Sequence, residues 1–349
     1  MIRAAPHPWR APIQLADHFN VLLKDTVNLS QFKLDLLSDR VGAIYKALKA
    51  DDQIGALITG KRPQGSWAHR TIIDPVGTNE FDADFMLDMS ENPDWADSPK
   101  TYIDEVYAAL HRHSTYGTMP HSRKCRCVRL VYANSMHVDI VPHLNLADGR
   151  EVIVNRDDNQ WELTNPQGLT DWMKNKDFLA NGNLRKVIRL MKYLRDHKNS
   201  FTGTRSVLLT TMLGEQVTEL RKLLDPGYYS NVPTTLLHLV QNLDTWLQAN
   251  PIKPSIADPS GSGVTFDHRW GPDPESAQAT YSYFRARIHV HAGEIKAAYE
   301  EKDKDRSIQL WQNIFGDGFK APATASASAK FPAATSAVAS TVGRSGRAG

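Results

Sequence analysis

Cysteine is almost missing from this chain: Cys125 and Cys127 are its only two in 349 residues. A CxC pair on a strand is too short to close an easy intrachain bridge, so a disulfide framework is excluded and two reduced cysteines are expected. Zinc-site spacing is missing too, since His121 and the other histidines are scattered without further ligands at the required intervals. No run approaches the roughly 18 apolar residues of a membrane-spanning helix. The opening MIRAAPHPWRAP lacks the apolar core of a secretory signal, so the expected setting is cytoplasmic, with no membrane partner. Charge of one sign is also scarce. Lys and Arg total 41 against 39 Asp and Glu, a net +2, which argues against a dedicated duplex-binding protein. SGSG at 260–263 reads as a flexible linker, because no GK[ST] follows to make a Walker loop. No internal repeat is visible.

What is present has the composition of a globular protein, and 349 residues suffice for one large or two ordinary domains. Apolar residues recur every three or four positions over 14–29 and 37–51, predicting helices. IGALITG (54–60), a Gly-Ser turn and an apolar strand around FDADFML (81–87) follow. A helix is expected over 98–114, with Ser98 and Pro99 as cap and first turn. KCRCVRLVYA and MHVDIVPHL read as strands, then REVIVNR and QWELTN as a short pair about the turn at 157–159. Beyond Pro166 the rhythm is helical, with helices expected over 183–198, 206–224, 233–249, 274–303 and 307–316. From Ala321 the composition collapses to Ala, Ser, Thr and Pro, which cannot bury enough apolar surface to order itself.

The chemistry-bearing residues lie at 64–87 and 137–144. Asp82 and Asp84 are two apart within an apolar run, so on a strand both carboxylates share one face and Phe81, Ala83 and Phe85 the other. Asp139 has the same setting between Val138 and Ile140. Carboxylates gathered on neighbouring strands repel one another unless cations pair them, which makes the trio a candidate site for two Mg²⁺ ions. The competing reading is an exposed strand edge with solvated aspartates. Asp74, before Pro75, and Asp88, at the end of the strand, are expected to be solvated. Gly65-Ser66, upstream, offers a small-residue turn where backbone N–H groups and a hydroxyl can approach a triphosphate.

On the helix over 183–198, Leu184, Val187, Ile188 and Met191 make the apolar stripe, and Arg185, Arg189 and Lys192 fall along one flank. The two arginines read equally well as a solvated face. Lys192 borders the stripe, from which a snorkelling lysine reaches into a cleft to neutralise a phosphate. Ser206, opening the next helix, serves either as its N-cap or as a phosphate-facing hydroxyl.

Gln64-Gly65-Ser66, Asp82-Ala83-Asp84 and His137 to Pro142, in that order and spacing, resemble the cGAS/DncV-like nucleotidyltransferases (CD-NTases), second-messenger oligonucleotide synthases of bacterial anti-phage defence. The resemblance extends over most of 14–320, including VIRLMKYLRDHK, RSVLLTTML and SIQLWQNIFGDGF. It implies an α/β (α+β) fold: a DNA-polymerase-β-like core with a mixed sheet at 1–165, a helical lobe at 166–320 and an active site between core and lobe, while composition alone makes 321–349 a disordered tail. It implies Asp82, Asp84 and Asp139 as metal-holding catalytic residues, with Mg²⁺ as two ions and Mn²⁺ as a substitute. Gln64, Gly65, Ser66, Lys192 and Ser206 would bind nucleotide. ATP and other nucleoside triphosphates are the implied substrates, a cyclic di- or trinucleotide the product, and an effector protein its receiver. The Cys/His zinc insert of the animal DNA sensor is not seen, so no duplex DNA activator is expected. The rivals are a polynucleotide nucleotidyltransferase, a transferase acting on protein or drug, and a silent nucleotide-binding module. The tail, ending VGRSGRAG, reads equally well as an inert disordered end or as an arm suited to the narrow channel of a ubiquitin-like conjugating enzyme, in which case Gly349 is the residue an E1/E2-like partner would activate.

Overall fold

The computed structural model describes residues 14–77, 81–133 and 136–323, leaving out the side chains of 81 and 82. The expected tail and its Gly349 lie outside the described residues. Within them, seven strands form one sheet: β1 (Ile58–Gln64), β2 (Phe81–Met89), β3 (His121–Arg123), β4 (Val128–Tyr132), β5 (Met136–Asn145), β6 (Glu151–Asn155) and β7 (Gln160–Leu163). The order is β1-β2-β5-β4-β3, with β6 pairing both β5 and β7. β2 and β5 run parallel and every other pair is antiparallel, so the sheet is mixed as expected.

Alternation along the strands separates the two faces. Ala83, Phe85 and Leu87 of β2 join Val138 and Ile140 of β5 and Val128 and Leu130 of β4 in one buried cluster. Two helices cover that face. In α2 (Gln31–Lys49) the 3.6-residue rhythm buries Leu37, Val41, Ile44 and Leu48, and the Ser30 hydroxyl caps the start by accepting from the Lys33 N–H at 3.3 Å. In α4 (Lys100–Arg112) Tyr102, Ile103, Val106 and Leu110 do the same. Pro142 inside β5 is tolerated because one edge of that strand changes partner there. β4 pairs it up to Ile140 and β6 from His143, so the missing N–H falls in the gap.

Helices α1 (Ala16–Leu22), α3 (Gly65–Ala68), α5 (Pro166–Leu179), α6 (Leu184–His197), α7 (Ser206–Glu215), α8 (Glu219–Leu224), α9 (Val232–Ala249), α10 (Pro274–Glu300) and α11 (Lys304–Phe315) complete the described fold. A second buried cluster joins α5–α7 and α9–α11. Helix α1 and the π-helical turn Leu23–Val27 belong to this cluster too, through Phe19, Leu22, Leu23 and Val27. The first helix therefore packs with the helical part of the protein, not with the sheet. None of the described helices is long and apolar enough to cross a membrane.

Several local expectations change. The KCRCVRL segment is not one strand: β3 and β4 form a hairpin whose turn is closed by the Lys124 N–H donating to the Cys127 carbonyl at 2.8 Å. Both cysteines are free thiols. Pro99, rather than Ser98, holds the cap position of α4. The single helix read over 206–224 breaks into α7 and α8, because the Thr218 side chain caps a new start by accepting from the Arg221 N–H. Helix α5 goes unnamed by periodicity but has a clear start, Asn165 capping Gly168 at 2.7 Å with Pro166 in the first turn. SGSG is no loose linker. The Asp258 carboxylate accepts from the Ser260 and Ser262 hydroxyls at 2.7 Å each, and Asn165 Nδ2 donates to the Ser260 carbonyl at 2.7 Å.

Phe19 is fully buried and meets Trp311 and Phe319 edge-on, with centroids 4.9 and 5.0 Å away. Phe19→Ala should cost about 3–5 kcal/mol of stability in a urea titration. A loss near zero would mean that α1 does not belong to the helical cluster.

Candidate active site on the open sheet face

The face away from α2 and α4 carries the polar residues. Because β2 and β5 run in parallel register, Asp84 stands opposite Asp139 and Asp82 opposite His137. Antiparallel pairing on either side places Gln64 of β1 beside Asp84 and Arg129 of β4 beside Asp139. Gln64, Asp84, Asp139 and Arg129 thus form one row across four strands, with neighbouring strands about 4.8 Å apart. Arg129 forks onto Asp139, its Nε and Nη2 donating to the two carboxylate oxygens at 2.7 Å each. Asp139 is only 7% exposed. The Asp82 side chain lies outside the described residues, so the row shows two members of the expected trio.

Cys127 reports the same concentration of negative charge. Burial, then the charges of Asp139 and Asp84, push its thiol well above the ordinary range, which leaves it a neutral, unreactive group. The donor chemistry fits a divalent ion, since carboxylate oxygens are the hard ligands Mg²⁺ takes. Among the described residues no cluster of three His, Cys, Asp or Glu side chains stands ready for a metal.

β1 ends at Gln64, and α3 begins at once with Gly65 in the left-handed region, φ 58°. A Cβ there would sit 2.8 Å from Asp84 Oδ2, so glycine keeps the space beside that carboxylate open. Gln64 Oε1 is buried without a donor among the described residues. The Ser66 carbonyl accepts from the Thr71 N–H at 2.8 Å, closing the turn back on itself.

Helix α6 grips that turn. Arg185 Nε donates to the His69 carbonyl at 2.8 Å, Arg189 Nη1 to the Arg70 carbonyl at 2.8 Å, and Lys192 Nζ to the Thr71 carbonyl at 3.1 Å. Spaced i, i+4 and i+7, one flank of the helix thus holds three successive carbonyls. The arginines are not a solvated face: Arg185 also pairs with Asp177 at 2.7 Å, and the Arg189 Nε is buried. Lys192 is 4% exposed, buried between the helix and the turn. His69, enclosed here, is pushed down to about 4 by burial and by Lys192 and Arg185, so it is neutral at physiological pH.

Other expectations are corrected. Asp88 is not solvated. Burial alone would raise its carboxyl, but hydrogen bonds from His143 and Arg62 outweigh that and hold it below the usual range. His143, fully buried, places Nδ1 2.8 Å from Asp88 and Nε2 2.9 Å from Glu151. Asp74 keeps its side chain 37% exposed, as expected, and pairs with Lys33 at 2.5 Å. Ser206 is not the N-cap of α7: Arg205 holds that position, and the Ser206 hydroxyl accepts from Arg195 Nη1 at 3.3 Å. The residues missed are Arg129 and the group around His143. Arg129 left one signal, a charge alternating with Val128 and Leu130 on an otherwise apolar strand.

Residues 13–177 match the family model of the Second Messenger Oligonucleotide or Dinucleotide Synthetase domain. The chain is similar to a c-di-GMP synthase of Roseivirga ehrenbergii, 25% identical over 224 residues. That match covers 55% of this chain and 58% of the relative, so it spans little more than half the relative's length. It is also similar to a cyclic AMP-AMP-AMP synthase of an Acinetobacter species, 22% identical over 306 residues, covering 85% and 83% of the two chains. Among solved structures, the CD-NTase CdnG of Bradyrhizobium diazoefficiens, in complex with GTP, shares the fold, with a TM-score of 0.67 at 18% identity over 89% of this chain and 97% of that one.

Gly65→Ala should crowd Asp84 and strain the turn, costing about 1–2 kcal/mol of stability for the left-handed backbone and weakening Mg²⁺-dependent nucleotide binding about tenfold or more. Calorimetric titration beside a melting curve checks this, and unchanged binding would show that the space beside Asp84 is not used.

Proposed function

Because the chain is a cGAS/DncV-like nucleotidyltransferase with a second-messenger-synthetase domain, we propose that it joins ribonucleoside triphosphates into a cyclic di- or trinucleotide with release of pyrophosphate. The observation that carries this reading is the row Gln64–Asp84–Asp139–Arg129, with the Gly65-Ser66 turn folded against it. The catalytic part is about 1–165, apart from α1, and the helical lobe about 166–320, with the active site between them.

Asp82, Asp84 and Asp139 would hold Mg²⁺, as two ions, with Mn²⁺ able to replace them. When bound, the metal supplies Lewis-acid polarisation of phosphate and hydroxyl oxygens. The chain's own groups do the rest. Gly65 and Ser66 contact the donor triphosphate by backbone N–H and hydroxyl, Gln64 lies beside them, and Lys192 and Ser206 supply further phosphate contacts from the helical side. The ribose hydroxyl of one nucleotide attacks the α-phosphorus of the other, its proton passing by way of Asp139 to solvent. The bond to the pyrophosphate oxygen breaks as the new phosphodiester forms. A second round with the linear product turned around closes the ring. The product would then act on a separate effector protein in anti-phage signalling. Incubating the protein with each radiolabelled triphosphate and resolving the products tests the reading directly.

Asp82→Asn with Asp84→Asn should abolish product while the melting temperature stays level or rises, since like-charge repulsion is relieved. Pyrophosphate release at a rate comparable to wild type would refute the metal-site assignment.

Lys192→Ala should raise the apparent KM for triphosphate about ten- to hundredfold, the loss of one charge-assisted contact worth roughly 1.5–3 kcal/mol. Lys186→Ala is the matched control, because among the described residues Lys186 on the same helix reaches only Asn183, at 3.2 Å. Equal effects at the two positions would show that the α6 flank does not face the nucleotide.

A further inference from the structure

Helix α8 is built inside out. None of its residues is buried. Leu220, Leu223 and Leu224, spaced i, i+3 and i+4 along one face, stand 63–79% exposed. The basic side chains between them turn toward the protein instead. Arg221 Nη1 donates to the Gln216 carbonyl at 2.8 Å, and Lys222 Nζ to the Leu179 carbonyl at 3.0 Å. Lys222 Nζ also lies 5.8 Å from the ring centre of Phe178, which places the end of α5 beside α8. Phe178 is itself 79% exposed. Four of the nine large apolar side chains exposed among the described residues thus gather on one surface, while the other five are spread over α2, β7, α10 and the segment after α9.

The outward stripe is held in place. Lys222 donates to Asn181 Oδ1 at 2.9 Å as well as to the Leu179 carbonyl, and turning the leucines inward would break both bonds. The four apolar side chains present on the order of 500 Å², at the upper end of what a monomer leaves open and about two thirds of the roughly 800 Å² each partner brings to a stable interface. An exposed rim of Lys174, Asn175, Asn181, Glu219 and Asp225 supplies the remainder. That rim carries two acids to one base, which disfavours an anionic lipid surface or a nucleic acid as the cover.

We propose that the face formed by Phe178, Leu220, Leu223 and Leu224 docks a second copy of this chain, giving a two-fold dimer. A two-fold contact sets one patch against itself, so a copy brings the matching apolar surface with it. The leucine stripe of each copy meets the stripe and the Phe178 ring of the other. With Glu219 and Asp225 at the two ends of α8 and Lys174 on α5, laying α8 of one copy along α5 of the other opposes charges of opposite sign. The proposal stands apart from the nucleotidyltransferase reading and does not depend on it.

The test is sedimentation velocity of the full chain from low to high micromolar concentration. Wild type is expected to form a species of twice the chain mass that dissociates on dilution. Leu223→Glu with Leu224→Glu should weaken association about a hundredfold or more, because charge is forced into the apolar contact. Should that variant fold poorly, Leu223→Ala, a truncation at an exposed position, is expected to weaken the dimer about tenfold with an unchanged melting curve at low concentration. Ile252→Glu is the control, since Ile252 is equally exposed but lies past the far end of α9, and it should leave the dimer intact. A wild type that stays monomeric throughout, a dimer that survives both leucine variants, or one lost in Ile252→Glu would overturn the proposal. Flotation with vesicles of phosphatidylcholine and phosphatidylglycerol separates the lipid alternative: binding by wild type that the leucine variants abolish would assign the face to a membrane, and the proposal fails.

Discussion

Carboxylates held at one register of adjacent buried strands cannot stay together unaided, and the sheet is organised around that repulsion. The parallel pairing of β2 and β5 puts Asp84 opposite Asp139, and Arg129 is brought onto Asp139 from the next strand. Glycine at position 65 keeps side-chain bulk away from Asp84. The reverse face, by contrast, is apolar from Ala83 to Leu87 and from Val138 to Ile140, so the strands are anchored by burial on one side and free to carry charge on the other. Further along the same face the problem recurs at Asp88 and Glu151 and is solved within the chain, by His143 and Arg62. One pair of acids is held by a histidine and an arginine, and in the other Asp139 is held by Arg129 from the neighbouring strand.

Helix α6 connects that face to the helical cluster. Its apolar stripe is buried among helices, while its basic flank ends on backbone carbonyls of the turn after α3. A carbonyl accepts a hydrogen bond without cancelling a full charge. Arg189 therefore brings positive potential to the turn that Gly65 and Ser66 open, in surroundings of low dielectric where it is felt strongly.

The sheet and its acids were legible in the sequence because their signal is local. Period-two alternation around Asp82, Asp84 and Asp139 needs no partner to be read, and the long helices announced themselves by rhythm. Helix α5 and the α7–α8 break were missed where the deciding feature is one cap, Asn165 or Thr218, inside a run that already looks helical. Of the two readings of Ser206, the N-cap one was off by one residue, within the ordinary uncertainty of helix ends. The solvated readings of Asp88 and of Arg185 failed for a different reason. Their partners, His143 and Asp177, are fixed by tertiary packing, and sequence spacing does not show which side chains meet.

The helical cluster is assembled from both ends of the described chain, since Phe19 packs against Trp311, Phe315 and Phe319. On the ribosome these partners emerge some 290 residues after Phe19, a delay on the order of fifteen seconds to a minute at roughly 5–20 residues per second. Throughout that interval α1 is an apolar segment without its binding surface, while the sheet between has everything it needs to fold. The nascent polypeptide is thus expected to carry a finished sheet with an exposed greasy leader, the kind of surface that chaperones engage, and to close only when the last helix leaves the exit tunnel.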